Sequence, residues 1–356
     1  MNKGNFAQVL IDWYHKNKRD LPWRNTQDPY KIWLSEIILQ QTRVIQGLPY
    51  FYRFEENYPS VGDLASASED QVLKDWEGLG YYSRARNMKK AAQVVVNEFG
   101  GVFPSQYENL LKLPGIGDYT ASAVSSFSTN EARPVLDGNV YRFLSRYFGI
   151  DDPINIPKSR QVFMDVLNDV IDFEKPGLFN QAIMEFGALQ CKPQSPLCET
   201  CPFNFDCVAL KNDLIKSLPV KLKAKKPKPR YFNYFILQDE KEDFLWMKRR
   251  GESDIWAGLY EFYNVESQEA MSVNDEEWVY SILSHFGSAS EIVPHPKTYK
   301  NVLSHQIIYA SFYFVTNFDT LNLNNLDLHY VSSKDFATLA KPKVINLFLS
   351  DHNLTN

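Results

Sequence analysis

Two rhythms of apolar residues divide this chain. Up to about residue 190, apolar side chains recur every three to four positions in segment after segment, the spacing that gives a helix one buried face. Asp28 and Pro29 form an N-cap and first-turn pair for a helix carrying Trp33, Ile37, Leu39 and Val44. Ser68, followed by Glu69 and Asp70, caps another that closes at Gly78. The same spacing predicts helices over 107–112, 119–127, 140–148, 158–172 and 177–190. After residue 230 the pattern changes to runs rich in Tyr, Phe, Ile and Val, which predict strands over 231–237, 244–248, 259–263 and 306–316. Helical patterns over 276–285 and 333–349 accompany them. The expected fold class is multidomain, an all-α domain followed by an α+β one.

The stretch from Lys221 to Arg230 carries six basic residues, prolines at 227 and 229, and no acid. Proline denies it a helix and like charges keep it extended, so the expected boundaries are 1–216, a linker over 217–230, and 231–356. Such a linker is either a solvated tether or one that lies along the phosphates of a polyanion.

Composition narrows the class. At 356 residues, 44% hydrophobic and 23% charged, the chain is long enough for two globular domains and is neither disordered nor collagen-like. No apolar run approaches the roughly 18 residues of a membrane helix. The first 20 residues mix Leu10 and Trp13 with Lys16, Lys18 and Arg19, unlike a signal peptide. No membrane is expected; the expected home is the cytoplasm, at the nucleoid, of a bacterium, or the nucleus of a eukaryote. Net charge is −5 overall, with 23 basic against 26 acidic residues before the basic stretch and 9 against 17 after it. Only local patches could therefore hold a polyanion.

All four cysteines lie within 17 residues: Cys191, Cys198, Cys201 and Cys207, separated by six, two and five residues. That crowding points to a metal in a reducing compartment, either one tetrahedral ion or a cuboidal iron–sulfur cluster. With a cysteine at every corner its role is structural. Leu113-Pro114-Gly115-Ile116-Gly117 falls between two helical patterns. Gly115 and Gly117 permit a tight hairpin whose N–H groups could hold a phosphate, or one that only connects two helices. Glu36 sits among Trp33, Leu34, Ile37, Ile38 and Leu39, so it either emerges at a helix edge or is buried and protonatable, which suits a general acid. Asp137 precedes Gly138, Asn139 and Val140 at a helix start, where an N-cap is the simpler role.

Taken together, these segments resemble the helix-hairpin-helix DNA glycosylases that carry an iron–sulfur cluster, and within them the MutY adenine DNA glycosylases. The resemblance spans nearly the whole chain. It rests on Leu21-Pro22-Trp23-Arg24, Trp33-Leu34-Ser35-Glu36 running into Leu39-Gln40-Gln41-Thr42, and Gly78-Leu79-Gly80-Tyr81-Tyr82. The hairpin through Asp118-Tyr119-Thr120-Ala121, Val135-Leu136-Asp137-Gly138-Asn139 and the cysteine spacing complete it.

The resemblance implies a helix-hairpin-helix domain with a 4Fe–4S cluster held by the four cysteines, and a Nudix-like second domain that recognises rather than hydrolyses. It implies that Glu36 protonates adenine and Asp137 faces the developing sugar cation, with Asn139 and Tyr119 in support. Gln41 and Tyr81 match positions that fill or wedge the base stack, and Arg19, Trp23 and Glu185 match positions around an extruded base. Leu303, Ser304 and His305 match a loop that probes 8-oxoguanine, with leucine in place of the usual phenylalanine. At Tyr119 the strand-cleaving cousins carry a lysine that forms a Schiff base, so a monofunctional enzyme is expected. The implied partner is duplex DNA bearing A·8-oxoguanine or A·G mispairs, bound by a monomer. The alternatives are a thymine or other mismatch glycosylase and a non-catalytic cluster-bearing DNA-binding module.

Overall fold

The computed structural model describes residues 3–223, 226–239, 244–287, 289–323 and 326–352. The helices in the first part of the chain are α1 (Lys3–Asn17), α2 (Pro29–Leu39), α3 (Val44–Asn57), α4 (Val61–Ser66), α5 (Glu69–Asp75) and α6 (Ser83–Glu98). They continue with α7 (Tyr107–Leu110), α8 (Asp118–Thr129), α9 (Gly138–Phe148), α10 (Arg160–Val170), α11 (Pro176–Leu189) and α12 (Val208–Lys211). The described residues fall into two compact units, one of residues up to Ala67 with Asn87–Lys223, the other of Ser68–Arg86 with the residues beyond 225.

In the first unit, Phe6, Leu10 and Tyr14 of α1 bury against Phe143 of α9, Phe163 of α10 and Phe179, Ile183 and Phe186 of α11. Each such side chain contributes roughly 1.5–3 kcal/mol on burial. Helix α2 is of another kind. Its Asp28 cap accepts from the Tyr30 N–H at 2.9 Å, Pro29 opens the first turn, and every residue from Ile32 to Ile38 is buried, Ser35 and Glu36 included. A helix apolar nearly all round belongs inside the protein, and it carries Glu36 there with it. The helix predicted to run on through Val44 stops at Leu39, because Gln41 takes a left-handed backbone (φ +54°) and α3 starts afresh.

The second unit is built on an eight-stranded sheet. Its elements are β1 (Lys228–Asp239), β2 (Phe244–Arg249), β3 (Tyr260–Glu261), β4 (Tyr263–Ser267), α13 (Glu276–Phe286), β5 (Glu291–Pro294), β6 (Tyr299–Val302) and β7 (Gln306–Thr316). After them come α14 (Thr320–Leu323), β8 (His329–Ser332), α15 (Ser333–Thr338) and α16 (Lys343–His352). The main path runs β3-β2-β1-β7-β5, with β1 and β7 parallel from Lys228↔Gln306 to Leu237↔Val315. Ile282 and Phe286 of α13 cover Phe235, Leu237, Tyr313 and Val315 on one face; Val344, Ile345 and Phe348 of α16 cover Phe232, Ile308 and Phe312 on the other. The single helix predicted over 333–349 is two, since Pro342 cannot continue the turn. The strand predicted over 259–263 is likewise divided, between β3 and β4.

Segment Ser68–Arg86 belongs to this second unit, although the sequence alone places it with the helices. Arg249 pairs with Glu69 at 2.6 Å, and Glu77 accepts from the Lys341 N–H at 2.9 Å and the Asn346 amide at 2.8 Å. In the basic stretch, Ala224 and Lys225 lie outside the described residues. Lys228–Arg230 are already strand, and the Arg230 guanidinium is committed to Asp254 at 2.7 Å and Glu266 at 2.6 Å.

Candidate active site

A cavity of about 590 Å³ opens in the first unit where α2, the start of α8, the start of α9 and α11 converge. Arg19, Trp23, Glu36, Gln41, Gly117, Tyr119, Asp137, Asn139 and Glu185 all line it, so most of the residues expected to act together are brought together. Glu36 is 8% exposed and accepts a hydrogen bond from the Tyr119 hydroxyl at 2.9 Å. Burial pushes its carboxyl up to about 7; the Tyr119 bond pulls the other way, and the nearby Asp137 charge adds to the rise. Near neutrality this carboxyl therefore keeps its proton far more readily than an exposed glutamate.

Asp137 is the N-cap of α9, as local sequence predicts, and also more than that. One oxygen accepts from the N–H groups of Asn139 (2.9 Å) and Val140 (2.7 Å), the other from the Asn139 side-chain amide (2.7 Å). Burial raises its pKa, and these bonds oppose the rise. The Asn139 oxygen in turn accepts from Arg142 at 2.9 Å, and Arg142 donates to the Cys191 carbonyl at 2.8 Å. A continuous chain of hydrogen bonds thus links the Asp137 carboxylate to the cysteine loop.

Arg19 and Glu185 form a support for the cavity wall. Glu185, 1% exposed, accepts from Arg19 at 2.8 and 2.6 Å and from Arg24 at 2.6 Å. Burial works against its charge, but the two guanidiniums outweigh it and hold the carboxyl down to about 2. Both Glu185 oxygens therefore accept from a guanidinium. Trp23 is buried edge-on to Phe51 at 5.1 Å. Among the lining residues not singled out from sequence are Arg24 and Gln181, whose side-chain oxygen accepts from the Tyr14 hydroxyl at 2.7 Å. Arg24 stood inside a quoted motif; Gln181 gave no local signal beyond sharing a face of α11 with Glu185.

In the hairpin, Gly115 has φ +77°, and a Cβ there would lie 2.7 Å from that of Asn87, so the fold itself requires glycine. Gly117 has an extended backbone and open space where a side chain would go. Among the described residues none comes within 4 Å of a Cβ placed at 117, which leaves the backbone accessible to a ligand.

Tyr81, Leu303, Ser304 and His305 lie in the second unit. Tyr81 is 49% exposed at φ +49°, a strained backbone for a tyrosine. The turn is held by Gly80, whose carbonyl accepts from the Trp76 indole at 3.0 Å and from Arg84 at 3.1 Å. Residues 303–305 form the tip of the β6–β7 hairpin, closed by Leu303 N–H to the Gln306 carbonyl at 2.8 Å. Ser304 and His305 are exposed, but Leu303 packs against the sheet core, and the exposed aliphatic beside the tip is Val302. Strand alternation explains the difference, since the register pairs Val302 with Ile307 outside the core while Ile308 points into it.

Cys191, Cys198, Cys201 and Cys207 line one pocket with Phe143, Arg146, Tyr147, Phe186 and Phe203. Arg146 donates to the Cys191 sulfur at 3.5 Å and to the Lys192 carbonyl at 2.7 Å, holding the loop's first turn. Burial pushes the Cys201 thiol up to about 12, so a thiolate at that position needs a positive partner such as a metal centre. The four sulfurs face one pocket, although among the described residues no three His, Cys, Asp or Glu side chains are grouped so as to hold a single metal ion.

A family profile described as "HhH-GPD superfamily base excision DNA repair protein" matches residues 34–168, and one described as a NUDIX domain matches residues 233–351. A solved thermostable thymine-DNA glycosylase has a TM-score of 0.54 at 29% identity, covering 58% of this chain and 96% of that one. An endonuclease III solved in a non-covalent DNA complex, at 22% identity and a TM-score of 0.52, covers 60% of this chain and 99% of that one and shares the helical fold. The adenine DNA glycosylase of Buchnera aphidicola (subspecies Acyrthosiphon pisum) is 38% identical over 270 residues, 76% of this chain and 77% of that one. At that identity over so much of both sequences, the chain belongs to the adenine DNA glycosylase family of base-excision-repair enzymes.

Proposed function

We propose that the enzyme removes adenine mispaired with 8-oxoguanine or guanine and leaves the strand uncut. The observation that carries this reading is the pairing of two buried carboxylates in one cavity, Glu36 pushed up to about 7 beneath the Tyr119 hydroxyl and Asp137 held by three hydrogen bonds. An adenine leaves deoxyribose more readily once a ring nitrogen is protonated, and Glu36 is the group that can supply that proton. As the bond breaks, positive charge grows on the sugar; Asp137, ionised, faces it as stabiliser or nucleophile. Glu36, deprotonated by the first step, can then accept a proton from the attacking water. The base reaches the cavity only when flipped from the duplex, with Gln41 and Tyr81 filling or wedging the stack and the backbone at Gly115 and Gly117 holding a phosphate.

Tyr119 stands where a lysine would be needed to form an imine, and a phenol cannot do so. Single-turnover assays on duplexes with A·8-oxoguanine, A·G and T·G should give abasic sites from the first two without strand breaks. Borohydride should trap no protein–DNA adduct unless Tyr119→Lys is introduced. Excision of thymine in place of adenine would overturn the reading in favour of a mismatch thymine glycosylase.

The four cysteines would hold a 4Fe–4S cluster, whose contribution when bound is to cross-link the loop that follows α11. Protein purified without air should be brown, with about four irons per chain; one zinc and no iron would overturn this assignment. The enzyme is expected to work as a monomer wherever the chromosome lies, at the nucleoid or in a nucleus.

A further inference from the structure

Helix α13 covers one end of its sheet face, where it buries Phe235 and Leu237 of β1 and Tyr313 and Val315 of β7. Nearer the β6–β7 tip, on the same side of those two strands, Tyr231 and Tyr309 pair in register with their rings stacked at 5.3 Å. Both stay partly exposed and belong to neither core of this unit. Here β7 lies between β1 and β6, so Tyr309 has Tyr231 on one side and Lys300 on the other, its ammonium 5.5 Å from the ring centre. Lys228, exposed, begins β1 beside the tip, its N–H donating to the His305 carbonyl at 3.0 Å. Among the described residues neither phenol hydroxyl has a hydrogen-bond partner, and neither Lys300 nor Lys228 enters an ion pair. Their neighbours differ: Lys297 is held by Asp351 at 2.5 Å, and Arg230 by Asp254 and Glu266. No acid shares the Tyr231 side of β6, or of β1 and β7 between the tip and the two tyrosines.

Unpartnered cations and hydroxyl donors on an uncovered sheet face mark a surface for anionic oxygens. We propose that this end of the sheet is a second DNA contact. Lys300 and Lys228 meet phosphates of the duplex flanking the mispair, and the Tyr231 and Tyr309 hydroxyls donate to the same backbone. This rests on the reading above, in which the 303–305 tip meets the base opposite adenine. Strand geometry sets the distance: Lys300 lies three residues from Leu303, about 10 Å along the strand, which corresponds to about three base pairs of duplex. Phosphates are the target rather than bases, because platforms for bases work through free ring faces and the Tyr309 ring is flanked on both sides. Such a contact carries no sequence information; it fixes the register in which the tip meets the duplex. Of the basic stretch before the sheet, Arg230 is committed to carboxylates, while Lys228 is left to lie along phosphate.

The test is the affinity of the full-length enzyme for an A·8-oxoguanine duplex carrying a non-cleavable adenine analogue, followed by fluorescence anisotropy over a series of salt concentrations. Lys300→Gln and Lys228→Gln should each weaken binding about three- to tenfold and lower the salt slope by about one. Tyr231→Phe combined with Tyr309→Phe keeps the stacked rings; it should weaken binding about two- to fivefold with the slope unchanged, because a neutral donor displaces no counterion. Methylphosphonate linkages about three nucleotides from the opposite base remove charge but little bulk, so they should weaken the wild type and leave Lys300→Gln nearly unmoved. An unchanged slope in Lys300→Gln, or a methylphosphonate loss equal in variant and wild type, would overturn the contact. Wild-type excision of ordinary adenine from the same mispair tests the underlying reading separately. Its absence would remove the mispair assignment, whereas normal excision with unmoved slopes would remove this contact alone.

Discussion

Glu36→Gln should cut the single-turnover rate of adenine excision by at least ~10², the typical loss when a positioned general acid is removed. Glutamine keeps the shape and can still accept from the Tyr119 hydroxyl, now 2.9 Å from a carboxylate oxygen, so DNA binding should survive. The wild-type rate should fall as pH rises through about 7, where burial has placed the Glu36 pKa, and the variant should lack that limb. The same substitution should stabilise the protein. A buried carboxyl whose folded pKa lies above its unfolded value of 4.5 favours the folded state most below that value, and the advantage disappears as pH rises through about 7. Above pH 7 the wild type buries a charge that the Tyr119 hydrogen bond compensates only in part, at a cost of up to about 3 kcal/mol on the linkage scale. Glutamine carries no such cost. Melting curves at pH 5 and pH 8 should show Glu36→Gln gaining several degrees at the higher pH and much less at the lower. Near-wild-type excision, or an alkaline limb that persists in the variant, would remove Glu36 from the role of acid.

Asp137→Asn should cost a further ~10²–10³ in rate by a different route, the loss of the negative charge facing the sugar. Asparagine is as good an N-cap as aspartate, so α9 should keep its start, with the bonds from the Asn139 and Val140 N–H groups intact. The bond from the Asn139 amide would be lost, because two amide nitrogens would then face each other where a carboxylate now accepts at 2.7 Å. That should destabilise the protein by about 1 kcal/mol, too little to account for the fall in rate. Affinity for a duplex with a non-cleavable adenine analogue should change far less than the rate. Equal losses in both would make Asp137 a binding group only.

Much of this protein is encoded locally. The Asp28–Pro29 start of α2, the Ser68 cap, the Asp137 cap, Gly115 in its hairpin and the clustered cysteines each depend on residues a few positions apart. Local signals also bounded the change from helices to sheet after residue 230. They failed where a residue other than glycine or asparagine takes a left-handed backbone. Gln41 and Tyr81 carry no turn signal of their own, yet both adopt left-handed backbones, the first dividing a predicted helix and the second held by Trp76 and Arg84. Nor does any local signal tell that Leu303, at the hairpin tip, packs against the sheet core while Val302 beside it is exposed.

The sequence by itself determined which chemical groups the enzyme has and the order in which they occur. Only the tertiary structure decided their states. Glu36 could be an edge carboxylate or a buried acid; a helix enclosed on all sides and the Asp137 charge raise its pKa, against the pull of a tyrosine 83 residues away, because desolvation and Coulomb energy depend on distance in space. Glu185 stands alone in the sequence, but in the fold both its oxygens accept from Arg19 and Arg24, which hold it ionised. Segment 68–86 reads as part of the helical domain, yet ion pairs and hydrogen bonds from Arg249, Lys341 and Asn346 tie it to the sheet and set Tyr81 against Ser304. Caps and periodicity act over one turn of chain, whereas burial and pairing are settled by whatever the fold brings within a few ångströms.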